Sequence, residues 1–263
     1  MSNPKDGHLH PINLIINKVA KIFQDIGFSV VDGPELETEW YNFDALNVAT
    51  DHPSRDMQDT FWIDTKDKSR KVLRTQTSNM QIHSMEAWVK KNTKENPEGF
   101  KTGDVEPLAI ICPGKVFRNE ATDATHEAQF YQLECLFITK KEEVSVGSLK
   151  WTIEKYLSEL FQKPISIRFR SSYFPFVEPA LEVDMTCFRC NGSGCSTCKQ
   201  SGYIEIMGSG MVHPKVLAMS GIDPEIYSGF AFGGGIDRIA MMLYGIEDIR
   251  YLYNGDMRFT SQF

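Results

Sequence analysis

Four of the six cysteines lie in one short segment of this 263-residue chain, residues 187–198. Cys187 and Cys190 form one C-x-x-C pair, Cys195 and Cys198 form a second, and the linker between them contains two glycines. Two such pairs can place four thiolates around one ion in the closed tetrahedral geometry of a structural zinc site. Four reduced thiols in a tight turn and disulfides remain alternatives, but the spacing favours a structural Zn²⁺ site.

Gln132 and Glu134 alternate with Leu133 and Cys135 along a predicted strand, which puts the two polar side chains on one face. Polar groups that point into an apolar domain need partners, and the ammonium or amide group of a ligand would serve. The alternative is that this face of the sheet is half exposed to solvent.

Arg118 and Arg238 are candidate phosphate ligands, because a guanidinium makes charged, bidentate contacts to phosphate oxygens. Arg118 precedes a long polar loop that contains His126, and a loop of that length favours a functional role. Arg238 follows three glycines, residues 233–235, which do not fit the dinucleotide-binding fingerprint G-x-G-x-x-G. For either arginine, a surface salt bridge is the alternative.

Three aromatic residues and a proline form the run 173–176 and precede an acid, Glu178. Phe174 and Phe176 could belong to the core, or they could line a flat, apolar pocket for an aromatic ligand. Glu178 at its edge could bind Mg²⁺, which takes one or two carboxylates together with phosphate oxygens of a substrate.

The composition is that of a globular protein, with 41% hydrophobic and 24% charged residues. The sequence contains neither a membrane span nor an apolar signal-peptide core, so we expect a soluble, cytoplasmic protein. The formal charge is −7, and contact with a nucleic acid would therefore need local basic patches.

The elements that must position these residues follow a pattern of helices and short strands. Apolar spacing predicts helices over residues 11–26, 77–89, 149–161 and 236–243, and strands over residues 28–31, 60–63, 72–74, 108–118, 130–138, 165–170, 203–207 and 229–233. Residues 42–59 are predicted to form a long ordered loop, 64–71 a charged hairpin, and 90–104 a mobile, solvated insertion. The sequence thus predicts one α+β domain over residues 1–263, with a mostly antiparallel sheet and a Cys-rich insertion at 187–202.

A series of motifs covers nearly the whole chain in a fixed order. They are H-P-I (10–12), G-F-S-V-V-D-G-P-E-L-E (27–37), Y-N-F-D-A-L-N (41–47), D-H-P-S-R-D-M-Q-D-T-F (51–61), L-R-T-Q-T-S (73–78), P-G-K-V-F-R-N-E-A-T-D-A-T-H (113–126), R-F-R-S-S-Y-F-P-F-V-E-P (168–179), G-M-V-H-P (210–214), G-F-A-F-G-G-G-I-D-R (229–238) and R-F-T-S-Q-F (258–263). In these motifs the chain resembles the catalytic α subunits of bacterial phenylalanyl-tRNA synthetases, which are class II aminoacyl-tRNA synthetases. The resemblance implies the class II fold, an antiparallel sheet flanked by helices.

The resemblance also implies a role for each candidate residue. Arg118 would hold the ATP α-phosphate and the substrate carboxylate, with His126 near the nucleotide, and Arg238 would hold the γ-phosphate. The remaining implied roles are Gln132 and Glu134 at the substrate ammonium group, Phe174 and Phe176 around the phenyl ring, Ala231 at its far end, Gln76 and Ser78 among the substrate-binding residues, Glu178 as a Mg²⁺ ligand shared with a β subunit, and Pro34 in the interface motif.

The implied activity is ATP-dependent formation of phenylalanyl-adenylate and transfer of phenylalanine to tRNA(Phe), in an α₂β₂ tetramer with a β subunit. Two alternatives remain: a catalytically weak binding paralogue, and a tRNA-independent amino-acid ligase. The Cys pairs resemble an insertion that some members of the family carry.

The chain departs from the family pattern at several positions. Gln76 stands where histidine is usual, and Cys135 replaces a glycine on the strand expected to line the pocket. Gly234 and Asp237 stand in G-G-G-I-D-R, residues 233–238, where G-M-G-x-E-R is common in the family. The sequence also starts where the catalytic domain is expected to start, without the coiled-coil arm that grips tRNA. We expect either a truncated chain or a minimal lineage.

Overall fold

Ten strands and eight α-helices form in residues 7–56, 59–64 and 70–263, the part of the chain that this computed structural model describes. The strands are β1 (Ser29–Val30), β2 (Leu36–Thr38), β3 (Trp62–Asp64), β4 (Arg70–Leu73), β5 (Leu108–Phe117), β6 (Gln129–Lys140), β7 (Ile167–Phe174), β8 (Val177–Thr186), β9 (Tyr203–Val212) and β10 (Tyr227–Gly235). The helices are α1 (Pro11–Gln24), α2 (Glu39–Asn42), α3 (Asn79–Glu95), α4 (Pro97–Thr102), α5 (Val146–Phe161), α6 (Pro214–Met219), α7 (Ile236–Tyr244) and α8 (Met257–Thr260).

Seven strands form one sheet in the order β1-β5-β6-β10-β9-β8-β7, and β2, β4 and β3 form a second, smaller sheet. All pairs in the large sheet are antiparallel except β1 with β5 at the edge. The predicted α+β class with a mostly antiparallel sheet is therefore confirmed.

Each face of the large sheet carries its own apolar core. The helices α1, α5 and α7 cover one face, where they pack on strand residues such as Leu133, Cys135 and Phe232. The opposite face, which includes Leu136 and Ala231, lies under α3, α6 and the segment around Phe43. Because side chains alternate along a strand, neighbours in the sequence contribute to opposite cores.

Helix α1 shows why the periodic segments were predictable. Pro11 occupies its first turn, the His10 side chain accepts a hydrogen bond from the Ile12 amide, and the apolar residues at spacings of three and four are buried. The helix ends at Gln24, two residues before its predicted end. No helix in the described part of the chain combines the length and apolar character needed to cross a membrane.

Residues 90–104 were predicted to be a mobile insertion, and that prediction is wrong. Helix α3 continues to Glu95, and the Asn96 side chain caps α4 by accepting a hydrogen bond from the Gly99 amide. Phe100 packs against Trp88 with their ring centroids 5.4 Å apart, and its carbonyl accepts from the Tyr227 hydroxyl. A few apolar anchors thus order a segment whose composition is that of a solvated surface.

Two further segments differ from the prediction. Residues 42–59 contain 3-10 turns at Asp44–Leu46 and Pro53–Arg55, so this segment is not a continuous loop. Strand β8 was not predicted. The aromatic run 173–176 covers the end of β7 and the two-residue turn, 175–176, that joins β7 to β8. The predicted hairpin at 64–71 falls mainly on residues 65–69, outside the described residues.

Candidate active site

A cavity of about 590 Å³ lies against the large sheet and is lined by residues of β6, β8, β9 and β10, by the aromatic run 173–176 and by the segments around residues 43–59 and 75–78. We call it the first cavity. It brings together eight of the predicted site residues, Gln76, Ser78, Arg118, Gln132, Glu134, Phe174, Phe176 and Ala231. Chain segments far apart in sequence therefore converge on one cavity.

Glu134 is the buried acid of this cavity, with 4% of its surface exposed. The Gln81 side-chain amide donates to Oε1 at 2.6 Å, and the Gln132 amide donates to Oε2 at 3.1 Å. Burial raises the pKa of Glu134 to about 7, and hydrogen bonds from Ser78, Gln81 and Gln132 offset part of that rise. A cation placed beside this carboxylate would favour its charged form.

The amide oxygen of Gln132 is buried and has no hydrogen-bond partner among the described residues. Such an acceptor usually finds a partner, because leaving it unpaired costs about 1–3 kcal/mol. Gly233 lies opposite Glu134 in the strand register, and a Cβ at Gly233 would come within 2.4 Å of Glu134 Oε2. The glycine therefore leaves the room that the carboxylate needs, and the two acceptors together fit a primary ammonium group.

Phe174 and Phe176 form an aromatic wall of the cavity. Their rings are nearly parallel, at 14°, with centroids 6.0 Å apart. The Asn47 side chain fixes the turn between them by donating to the Pro175 carbonyl at 2.7 Å, and Gly208 allows the Phe174 ring to approach β9 closely. Further apolar residues that line the cavity are Phe43, Val48, Val177 and Ala231.

Arg118 provides the positive charge of the first cavity. Its Nε donates to the Thr75 carbonyl at 3.3 Å, and its guanidinium lies over the Phe130 ring. Partial desolvation lowers the pKa of Arg118, and the Glu120 carboxylate, 4.0 Å away, compensates in part. A weak ion pair of this kind leaves Arg118 able to bind another anion.

Arg238 and His126 lie elsewhere, in a second cavity of about 550 Å³. This second cavity is lined by loop residues 125–126 and by α7 with the turn after it. It is also lined by Phe188, Arg189 and Thr197 of the Cys segment, residues 187–198. Arg238 belongs to the first turn of α7 rather than to the strand before it, and His126 lies beside Asp123 in a turn that the Asp123 carboxylate organises. The structure thus divides the predicted nucleotide-binding residues between two cavities.

Glu178 lines neither cavity. Its side chain is 72% exposed, and one carboxylate oxygen lies 3.3 Å from Nε2 of His213. A single exposed carboxylate is compatible with Mg²⁺ that keeps most of its water and phosphate ligands, but these residues alone do not form a closed metal site.

The Cys segment, residues 187–198, brings its four sulfur atoms together. The Sγ atoms of Cys187 and Cys195, and those of Cys190 and Cys198, are 3.8 Å apart, and all four lie within 4.8 Å of one another. Sulfurs around a tetrahedral zinc ion with bonds of about 2.3 Å stand about 3.8 Å apart. Disulfide bonds are absent from the segment as described, and its donor geometry fits zinc.

The departures from the family pattern have separate structural consequences. Cys135 lies on the strand that lines the first cavity, but its side chain points away from the cavity into the core under α1 and α5. Asp237 is buried and accepts hydrogen bonds from the Tyr131 amide and the Tyr253 hydroxyl, which ties β6 to α7. Gln76 lines the cavity and contacts the Asn42 carbonyl and Ser78. Gly234 lies beside Met207 of β9.

Sequence reasoning missed two residues that hold the site in place. Gln81 is buried one turn after Ser78 and orients Glu134, and a polar residue on the apolar face of α3 was the available signal. Arg74 is 1% exposed and donates to the Lys115 and Gly33 carbonyls, and no sequence pattern indicated its burial. Pro34, which was assigned to the interface motif, is exposed beside Gly33.

The family model "tRNA synthetases class II core domain (F)" matches residues 1–263. The phenylalanine–tRNA ligase alpha subunits of Bacillus pumilus and Bacillus subtilis are 49% and 48% identical to this chain and align with 100% and 98% of it, which corresponds to 71% and 69% of their own lengths. A third, from Clostridium perfringens, is 49% identical over 98% of this chain and 69% of its own length.

Solved structures resemble the chain in fold. A pyrrolysyl-tRNA synthetase from Desulfitobacterium hafniense superposes with a TM-score of 0.65 at 17% identity and covers 93% of this chain and 74% of its own. A second structure from that organism, of PylSc, gives 0.63 at 18% identity over 92% of this chain and 72% of its own. The sequence match over its whole length and the shared fold establish that this chain belongs to the family of class II tRNA synthetase core domains.

Proposed function

We propose that this chain is the catalytic α subunit of a phenylalanine–tRNA ligase and activates L-phenylalanine with ATP. The observation that carries the proposal is the first cavity, where a buried carboxylate and an unpaired amide oxygen lie in the same pocket as two parallel phenyl rings. The α-amino group of phenylalanine would bind Glu134 and Gln132, and its ring would lie against Phe174 and Phe176. The names of the relatives support the same function.

The first step forms a bond between a carboxylate oxygen of phenylalanine and the α-phosphorus of ATP, and it breaks the bond to the β-phosphate. The products are phenylalanyl-adenylate and pyrophosphate. Arg118 would bind the carboxylate and the α-phosphate, while Arg238 would bind the γ-phosphate. Positioning of the two substrates and neutralisation of charge provide most of the catalysis in such a reaction.

In the second step, a hydroxyl of the terminal tRNA adenosine attacks the carbonyl carbon of the adenylate and releases AMP. The proposed partners are tRNA(Phe) and a β subunit in an α₂β₂ assembly, and the proposed location is the cytoplasm. His126, Ser78, Gln76 and Ala231 keep the substrate-binding roles that the family resemblance implies.

Two metals belong to this proposal. Mg²⁺ would neutralise phosphate charge, with Glu178 as one ligand and the β subunit and substrate supplying others. Zn²⁺ would be held by Cys187, Cys190, Cys195 and Cys198 as a structural ion, which the 3.8 Å sulfur separations support.

The decisive experiment is phenylalanine-dependent exchange of pyrophosphate into ATP, measured with the chain alone and with a β subunit from the same genome. We expect exchange when both subunits are present, with glycine in place of phenylalanine as the blank. Exchange by the chain alone would support the tRNA-independent ligase instead. Absence of exchange in a verified complex would favour the weak binding paralogue.

A further inference from the structure

The second cavity contains one basic residue to which no role has been given. Arg189 lies between Cys187 and Cys190 in the Cys segment, and its side chain lines the cavity together with Arg238 of α7. The two arginines reach the same concave surface from different parts of the chain.

Neither arginine has a carboxylate partner among the described residues. The Arg189 guanidinium donates to the Thr197 hydroxyl at 3.4 Å, and Arg238 makes no side-chain hydrogen bond or ion pair there. Glu247 lines the cavity as well, but it forms no ion pair with them within the described residues. Two guanidinium groups that share a cavity and form no ion pair with a carboxylate favour a bound anion, because the anion offsets their mutual repulsion.

The backbone around Arg189 is anchored, so the side chain does not depend on a free loop. The Phe188 ring packs on Phe161 with centroids 5.6 Å apart, and the Lys163 ammonium donates to the Phe188 carbonyl. The Cys187 amide donates to the Gly202 carbonyl at 2.8 Å, which fixes the start of the segment. Arg189 is therefore presented to the cavity from a defined position.

We propose that Arg189 binds a phosphate group in the second cavity together with Arg238, so that the Cys segment contributes a binding residue as well as a metal site. The inference deepens the proposed function, which offers two sources of phosphate. One is the polyphosphate of ATP or pyrophosphate, and the other is a phosphodiester near the acceptor end of tRNA. Both present the same anionic oxygens to a guanidinium.

The test compares Arg189→Ala with Lys199→Ala, which removes an equal charge from an exposed residue just after Cys198 that does not line the cavity. Both proteins are prepared as the full chain with its β subunit, and matching zinc content and melting temperature establish that they are folded. Pyrophosphate binding is measured by titration calorimetry, and tRNA binding by anisotropy of a labelled tRNA.

We expect Arg189→Ala to lower the affinity for one of the two ligands about tenfold, which is the effect of losing one charged hydrogen bond. Lys199→Ala should leave both affinities near the wild-type value. Weaker pyrophosphate binding would assign the site to the polyphosphate, and weaker tRNA binding would assign it to RNA. Wild-type affinity of Arg189→Ala for both ligands, or an equal loss in Lys199→Ala, would overturn the proposal. Because the assay measures binding without turnover, a failure of phenylalanine activation would be seen separately in the exchange assay.

Discussion

The two cavities are built in different ways. Strands and the buried side chains between them form much of the first cavity, and its key acid is desolvated and held by two amides. The second cavity is formed by a loop, the Cys segment and a helix, and its two arginines are exposed. An apolar amino acid must be selected by shape and by a few buried polar groups, whereas phosphate can be bound by charge at a surface.

The largest expected effect tests the buried acid of the first cavity. Glu134→Gln keeps the shape of the side chain but removes the charge that would face the substrate ammonium group, so we expect kcat/KM for phenylalanine in pyrophosphate exchange to fall roughly 10²- to 10³-fold. Pyrophosphate affinity at the second cavity should not change. Glu142→Gln, an exposed acid just beyond β6, is the control. Near-normal kcat/KM in Glu134→Gln would remove this acid from substrate binding.

The next prediction concerns the zinc site of the Cys segment, which lines the second cavity. Cys190→Ser should reduce the zinc content from about one ion per chain to nearly none and lower the melting temperature, because a closed zinc site needs all four thiolates. Binding at the second cavity should weaken, while phenylalanine binding in the first should persist. Elemental analysis measures the zinc content, and calorimetry measures the melting temperature and the binding of each ligand. Cys112→Ala, which removes a buried thiol outside the Cys segment, is the control. A wild-type chain purified without zinc would contradict the metal assignment.

The raised pKa of Glu134 predicts how the free energy of unfolding depends on pH. The folded protein holds this proton up to about pH 7, whereas the unfolded chain releases it near the ordinary pKa of 4.5. Between those values the folded state binds more protons, so the contribution of Glu134 to the free energy of unfolding decreases as the pH rises, by roughly 3 kcal/mol in total. Urea denaturation at pH 4.5 to 7.5 should show this slope in the ligand-free protein and in Glu142→Gln. A curve for Glu134→Gln that keeps the full slope would assign the effect to another group.

Selectivity against tyrosine is a smaller effect. The aromatic wall and the apolar residues Val48, Val177 and Ala231 offer no hydrogen bond to a para-hydroxyl group, and burying one unpaired costs about 1–3 kcal/mol. We expect kcat/KM for tyrosine to be roughly 10- to 100-fold below that for phenylalanine, as measured by pyrophosphate exchange. Equal values for both amino acids would mean that the hydroxyl finds a partner or solvent.

The smallest effect concerns the packing behind the aromatic wall. In Gly208→Ala the new methyl group would lie 2.9 Å from Cζ of Phe174, so the ring must move. We expect KM for phenylalanine to rise about three- to tenfold, because overpacking of this kind costs about 1–3 kcal/mol and displaces the ring that the substrate would contact. Gly7→Ala, with no atom within 4 Å of the new methyl group, is the control. An unchanged KM would show that the Phe174 ring is free to adjust.

Regular elements were the most predictable part of this protein. The buried face of α1 and the antiparallel pair β5 and β6 follow directly from periodic apolar residues, and the alternation of Gln132 and Glu134 with Leu133 and Cys135 predicted correctly which side chains share a face. The segment 90–104 and strand β8 were missed because single tertiary anchors such as Phe100, and pairing with neighbouring strands, override local composition.

The candidate residues could be named from the sequence because their types and order are local properties of the chain. Residue type fixes what a guanidinium, a carboxylate or a thiolate can bind, and the C-x-x-C spacing limits how four sulfurs can meet. The tertiary structure decided which of these residues share a cavity, and it separated Arg238 and His126 from Glu134. It also decided that Glu134 is desolvated, that Gln81 orients it, and that Cys135 lies in the core. These properties depend on contacts between segments distant along the chain, and burial and partner choice arise when the sheet and helices pack together.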